Sequence, residues 1–218
     1  MNPNMLNRRS MLTGGTLISL SALLAACVPH DIITAGDGST APGTPATSSS
    51  SSSSAGNNAS NGEYRKADAK GPAQNVPKPN APENGYRAKT PEGILKTMDA
   101  WNQWVNYGVQ TGDYSKAREF LSTSNDGELK IYREIEALYQ RGGWVIDGIE
   151  HFEPEGIPWS DDSRTYYLKT NHEWDKHTEV EPDGRQETWS SDKEEEIYVF
   201  ALEHRDGTWQ ILYSQIDA

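Results

Sequence analysis

All seven tryptophans of the chain lie between Trp101 and Trp209. Large aromatic side chains bring the most apolar area to a core, so whatever this chain folds into is built largely from its second half. Upstream, residues 35–62 are mostly Ser, Thr, Gly, Ala and Asn, with an unbroken serine run from Ser48 to Ser54. Such a composition buries too little to offset the entropy of ordering it. Dilution by this segment is one reason that only 34% of the 218 residues are hydrophobic.

The first 27 residues have a different character. Arg8 and Arg9 form a positive start, and Met11 to Ala26 is a mostly apolar run of 16 residues. That is short of the roughly 20 residues a spanning helix needs and has the build of a signal peptide. It ends in Leu24-Ala25-Ala26-Cys27, and Cys27 is the chain's single cysteine. This ending resembles a bacterial lipobox, which implies a diacylglyceryl group on Cys27 and a cell-membrane, extracytoplasmic location. Two acyl chains supply the paired signal that stable anchoring requires. Asn7-Arg8-Arg9-Ser10-Met11-Leu12 also resembles a twin-arginine export motif, while an ordinary secretory start with adjacent arginines remains the alternative. Residues 28–87 then read as a disordered Ser/Gly/Pro-rich tether, about 40–50 Å end to end if flexible.

From Thr90 onward the pattern is that of a folded domain, residues 88–218. Thr90-Pro91-Glu92 is a helix start, with a capping Thr, a Pro in the first turn and an acid behind it. Ile94, Met98, Trp101 and Val105 continue it on one face, and Gly112 ends it. Asp113 caps a short second helix carrying Ala117, Phe120 and Leu121. A third runs from about Asp126 to Arg141 and stops at Gly142-Gly143. The period then changes to two, predicting strands over 144–153, 164–180, 186–204 (one strand or a pair) and 208–216. Asp206-Gly207 marks the last hairpin. The expected fold class is α+β: three N-terminal helices packed on a curved antiparallel sheet.

Several segments carry a resemblance. Gly71-Pro72-Ala73-Gln74-Asn75-Val76-Pro77, Pro91-Glu92-Gly93, Trp104-Val105-Asn106-Tyr107, Thr111-Gly112-Asp113 and Gly142-Gly143-Trp144 resemble an uncharacterised family of actinobacterial lipoproteins, over about residues 64–217. Its domains look like the SnoaL-like, nuclear-transport-factor-2-like cone. The resemblance implies a cone-shaped sheet with a pocket under its helices, and no known chemistry. Relatives often have a cysteine pair after the second helix; this chain has Ser122-Thr123-Ser124-Asn125-Asp126 there, so such a disulfide is missing.

If a pocket exists, its candidate lining is Trp101, Tyr166, His172, Trp174 and Tyr213. His172 beside Tyr166 and Trp174 on one strand face has the chemistry of a general base with a donor, but the favoured reading is a hydrogen-bonded interior or rim histidine with core aromatics. No catalytic residue is assigned. His172 and His177, five apart, fall on opposite faces of a continuous strand, and no metal-binding spacing occurs. No nucleophile elbow, Walker loop or dinucleotide glycines are present, so neither a metal nor a cofactor is expected. The formal charge of −12 excludes the basic footprint of a nucleic-acid binder. Residues 146–206 hold 18 acids against 6 bases, which reads as solvated strand edges or as a surface for a basic partner.

The expected function is a lipid-anchored, non-catalytic binding or interaction module of the cell envelope. Its partners would be the membrane and an apolar ligand or envelope protein. The alternative is a small-molecule acid–base enzyme of isomerase or dehydratase type.

Overall fold

The computed structural model describes residues 62–174, 176–190 and 196–217. Arg8, Arg9, Cys27 and the serine run lie outside the described residues, as do Asp192, Glu194 and Glu195.

Helix α1 spans Pro91–Thr111. The Thr90 hydroxyl accepts from the Gly93 N–H at 3.1 Å, so the expected cap is made. Ile94, Met98, Trp101, Val105 and Val109 form its buried face. Gly112, at φ +74°, closes it by donating its N–H to the Gly108 carbonyl. Helix α2 spans Asp126–Gln140; Asn125 caps it, and Tyr132, Ile135 and Leu138 are its buried residues.

Between them the expected second helix is absent. Only a single 3-10 turn forms, Ala117–Phe120. Two contacts prevent a longer helix. Before the turn, the Tyr114 ring folds back onto Gly108, where a Cβ would come within 2.5 Å of it. After it, Leu121 bridges to Ile211, and the Ser122 N–H donates to the Ile211 carbonyl at 2.9 Å. The chain is drawn to the sheet after one turn.

The sheet also differs from expectation. Among the described residues seven strands form two antiparallel sheets: β1 Trp144–Asp147, β2 Glu150–Pro154, β3 Thr165–Trp174, β4 Lys176–Val180, β5 Gln186–Ser190, β6 Glu196–Arg205 and β7 Thr208–Ile216. One sheet has the order β2-β3-β6-β7 and the other β1-β4-β5. The expected three helices on one curved sheet are therefore corrected to two α-helices on a mostly-sheet fold of two sheets. The reason is that the runs 144–153, 164–180 and 186–204 each split, with one half in each sheet. Between β1 and β2 the crossing is made by Asp147 and Gly148, both left-handed at φ +61° and +74°. Each crossing also reverses the inside–outside alternation. Inward positions lie an odd number of residues apart across each break: Val145 and Glu150, Trp174 and His177, Trp189 and Glu196. Within one strand such pairs face opposite ways.

The core centres on Trp101, whose ring lies 5.4 Å from both Phe152 and Phe200. Its indole N–H donates to the Tyr132 hydroxyl at 3.0 Å, joining α1 to α2. On β7 the register slips between Ala201 and Leu202: Leu202 pairs with Ile211 but Ala201 with Tyr213. Leu212 is the extra residue, and a one-residue bulge reverses the facing of the residues beyond it.

The N-terminal boundary also moves. Residues 62–87, read as the end of the tether, lie against the domain. Arg65 and Gln74 pair antiparallel, as do Asp68 and Gly71. The Tyr64 hydroxyl donates to Gln110 at 2.8 Å, and the Trp144 indole donates to the Asp68 carbonyl at 2.9 Å. Lys66 and Lys176 both pair with Asp147. Further along, the Trp209 indole donates to the Ala88 carbonyl at 2.8 Å.

One buried phenol, Tyr132, and one half-buried phenol, Tyr139, make the fold sensitive to alkali. Burial pushes the Tyr139 hydroxyl, which donates to the Val109 carbonyl at 2.8 Å, up to about 12. Burial, and next the charge of Glu128, raise Tyr132 well above the tyrosine range. Their ordinary value in an unfolded chain is about 10. The folded state thus holds these protons more tightly. The stability they contribute is complete below about pH 10 and is lost as the pH rises from there towards 12. Urea unfolding followed across about pH 9–12 should show the midpoint falling above 10. Tyr139→Phe should cost about 1 kcal/mol at neutral pH and make the alkaline fall shallower.

Candidate functional site

A cavity of about 50 Å³ lies where the two sheets meet under the helices. Val105 and Val109 of α1 line it, with Glu128, Ile131, Tyr132 and Ile135 of α2 and the Tyr114 ring. The sheets add Glu150 and Trp174 from one side and His177, Glu179 and Trp189 from the other. Gly148, at the crossing, completes the wall; a Cβ there would sit 2.7 Å from the His177 ring and 3.0 Å from Val109.

Glu150 is the best-determined part of the wall. The Asn106 side chain holds its backbone from both sides, donating to the carbonyl at 2.8 Å and accepting from the N–H at 3.0 Å. Asn102 donates to the same carbonyl at 3.0 Å. The Glu150 carboxylate lies 2.8 Å from His172 Nε2, and Glu196 lies 3.3 Å from Nδ1. The His172 side chain is fully buried, and its ring stacks on Phe152 at 4.6 Å and 10°. His172 is thus a buried bridge between carboxylates, with both nitrogens engaged.

On the second sheet Glu179 is buried, with His177 Nε2 3.4 Å from its carboxylate and the His177 ring 5.6 Å from Trp189. The indole nitrogens of Trp174 and Trp189 are sealed from solvent and have no acceptor among the described residues. No lysine or arginine lines the cavity. Its chemistry is three carboxylates, several aromatic rings and two unspent donors. Among the described residues no group of three or more His, Cys, Asp or Glu is arranged to hold a metal ion, and no helix is long and apolar enough to cross a membrane.

Of the five expected lining residues, only Trp174 reaches the cavity. Trp101 is spent in the core at 1% exposure. Tyr166 lies edge-on to Trp209, 5.1 Å away. His172 sits behind Glu150. Tyr213 is turned to the far face by the bulge at Leu212, where burial and then the Tyr167 hydroxyl raise its pKa. His177, expected to face away from His172, faces the cavity because the strand breaks between them. Glu128, Tyr132, Glu150, Glu179 and Trp189 were not legible as a set. Their only signal is the acid excess over 146–206, which includes Glu150 and Glu179.

Fold and site together define a mostly-sheet domain, two antiparallel sheets with two α-helices, with an acidic, aromatic cavity where they meet. The chain belongs to a family of unknown function, DUF6318, whose model matches residues 62–215. The expectation of an uncharacterised family is shown at that level, as a family of unknown function. No curated protein matches. Among solved structures it is similar to a protein assigned as an aromatic ring hydroxylase from Novosphingobium aromaticivorans (12% identity, 59% of this chain and 88% of that one, TM-score 0.38). It is also similar to Bd1075 of Bdellovibrio bacteriovorus (10% identity, 57% and 39%, TM-score 0.35). A third is a variant of a protein named Rd1NTF2_05 (12% identity, 57% and 99%, TM-score 0.32).

The coupling of His172 to Glu150 is measurable. His172→Leu removes the ring partner of a buried carboxylate and should cost about 3–5 kcal/mol in urea unfolding. The double variant His172→Leu, Glu150→Leu should be less destabilised than the sum of the two singles, by about 1–3 kcal/mol. Strict additivity would mean that the pair does not act as a unit.

Proposed function

We propose that this chain is a lipid-anchored module of the bacterial cell envelope that binds a small molecule in the corner cavity and does not catalyse a reaction. The observation that carries the binding part is the cavity itself. Residues from both sheets and both helices converge on it, and two indole donors beside it lack acceptors. The composition of the lining also refines the expected apolar ligand, because three carboxylates share the wall with the aromatic rings.

Binding is favoured over acid–base catalysis by the state of His172. A general base needs a nitrogen free to meet the substrate proton. Both nitrogens of His172 point at carboxylates, and the ring is sealed behind Glu150. The location rests on the sequence. The lipobox ending at Cys27 supports a diacylglyceryl anchor, and Arg8 and Arg9 support export by the twin-arginine route.

Fractionation tests the anchor. The natural protein should sediment with membranes and Cys27→Ala should not; a Cys27→Ala chain that stays with the membrane after processing overturns lipid anchoring. Native mass spectrometry of protein released gently from its own cells tests the cavity. A bound small molecule is the expected result, and a bare mass in every preparation overturns the binding reading.

A further inference from the structure

We infer that the corner cavity takes an uncharged apolar group of about four carbon atoms, carried by a neutral molecule whose polar end stays at the mouth. The assignment rests on the binding reading above and deepens it. Its first ground is that the charges of the wall are already engaged. Glu150 faces His172 at 2.8 Å, and Glu179 lies 3.4 Å from His177. Glu128 is likewise engaged. A cation entering the cavity would give up its hydration for carboxylates that are not free to replace it. An anion would meet the same carboxylates at close range and be repelled.

The second ground is what remains of the wall once those groups are set aside. The Tyr132 hydroxyl takes the Trp101 N–H at 3.0 Å. The indole nitrogens of Trp174 and Trp189 are sealed, so both rings turn carbon to the cavity. Val105, Val109, Ile131 and Ile135 add aliphatic surface. A wall of this kind gains by exchanging water for carbon, and it holds no idle polar group that a ligand must satisfy.

The third ground is the order of the wall from inside to outside. Apart from the engaged Glu150 and Glu179, its buried residues are aliphatic or aromatic, with Val105, Val109 and Ile135 coming from the two helices. Glu128 and His177 are half-buried and reach water. A neutral amphiphile therefore enters carbon first and leaves its polar end beside them. Size sets the length of the entering part. At roughly 10–15 Å³ of free volume for each water-sized group, a cavity of about 50 Å³ accommodates about four such groups. That is the bulk of a butyl chain.

The test uses the full chain with Cys27→Ala and no detergent, so that no detergent chain competes. Three probes share one butyl chain: butan-1-ol is neutral, butylammonium positive and butanoate negative. The methyl resonances of Val109 and Ile135 report the place and, by titration, the affinity. Butan-1-ol should shift both signals and bind at least about tenfold more tightly than either charged probe. From ethanol to butan-1-ol the affinity should rise about fourfold for each carbon. A plateau beyond the fourth carbon makes a free small molecule the source of the group. A rise that continues to octan-1-ol makes it the end of a longer chain that runs out through the mouth. Val105→Ile narrows the inner end and should weaken butan-1-ol by about threefold or more. Ile131→Phe, at a half-buried position, serves if thermal melting shows that Val105→Ile does not fold. Glu128→Gln should leave butan-1-ol unchanged. Equal or tighter binding of a charged probe, or no gain from ethanol to butan-1-ol, overturns the apolar assignment and leaves the binding reading standing. Butan-1-ol binding that neither apolar substitution weakens overturns this site. If no probe of any charge moves the two methyl signals, both readings fall.

Discussion

One side-chain amide sets the position of everything at the corner. β2 is the edge of its sheet, and on the side of Glu150 away from β3 no described strand takes up its N–H and carbonyl. Buried backbone groups must be paired. Asn106 does this from the helix, using its amide as a one-residue imitation of a neighbouring strand. α1 is thereby fixed in height and rotation against β2, and the Glu150 side chain is left between His172 and the cavity. The stacked pair of Phe152 and His172, and the Trp101 cluster beyond it, build outward from that point.

The corner follows from the same arrangement. The runs 144–153, 164–180 and 186–204 each give one strand to either sheet, and the inward positions of the two strands lie an odd number of residues apart. The cavity lies where the two sheets and the two helices meet. Its walls therefore come from four directions, which is why residues far apart in sequence, such as Glu128, Glu150 and Trp189, meet there.

The sequence displays its helices well because their signals are local. The Thr90-Pro91 start, the Ile94–Val105 stripe, the Gly112 end and the 126–141 helix all depend on neighbours within a few residues. The strands were legible as extended segments. The breaks within them were not legible. An odd-offset crossing leaves the composition extended while reversing every later residue, so alternation read straight through 164–180 sent His177 to the wrong side. The bulge at Leu212 did the same to Tyr213. The stretch 62–74 looked like linker because its anchors are polar contacts of Tyr64, Lys66 and Asp68 to residues far along the chain.

The docking of that stretch has a mechanical meaning. The chain enters the described domain at residue 62, and its first grips are Tyr64 on Gln110, Lys66 on Asp147 and Asp68 on Trp144. Tension applied from the N-terminal side loads these contacts before it reaches the core. Asp147 adjoins Gly148, the residue that walls the cavity at the crossing between β1 and β2. A pull on the leading segment is thus delivered to the rim of the cavity, so that the entering segment and the cavity wall share one piece of backbone.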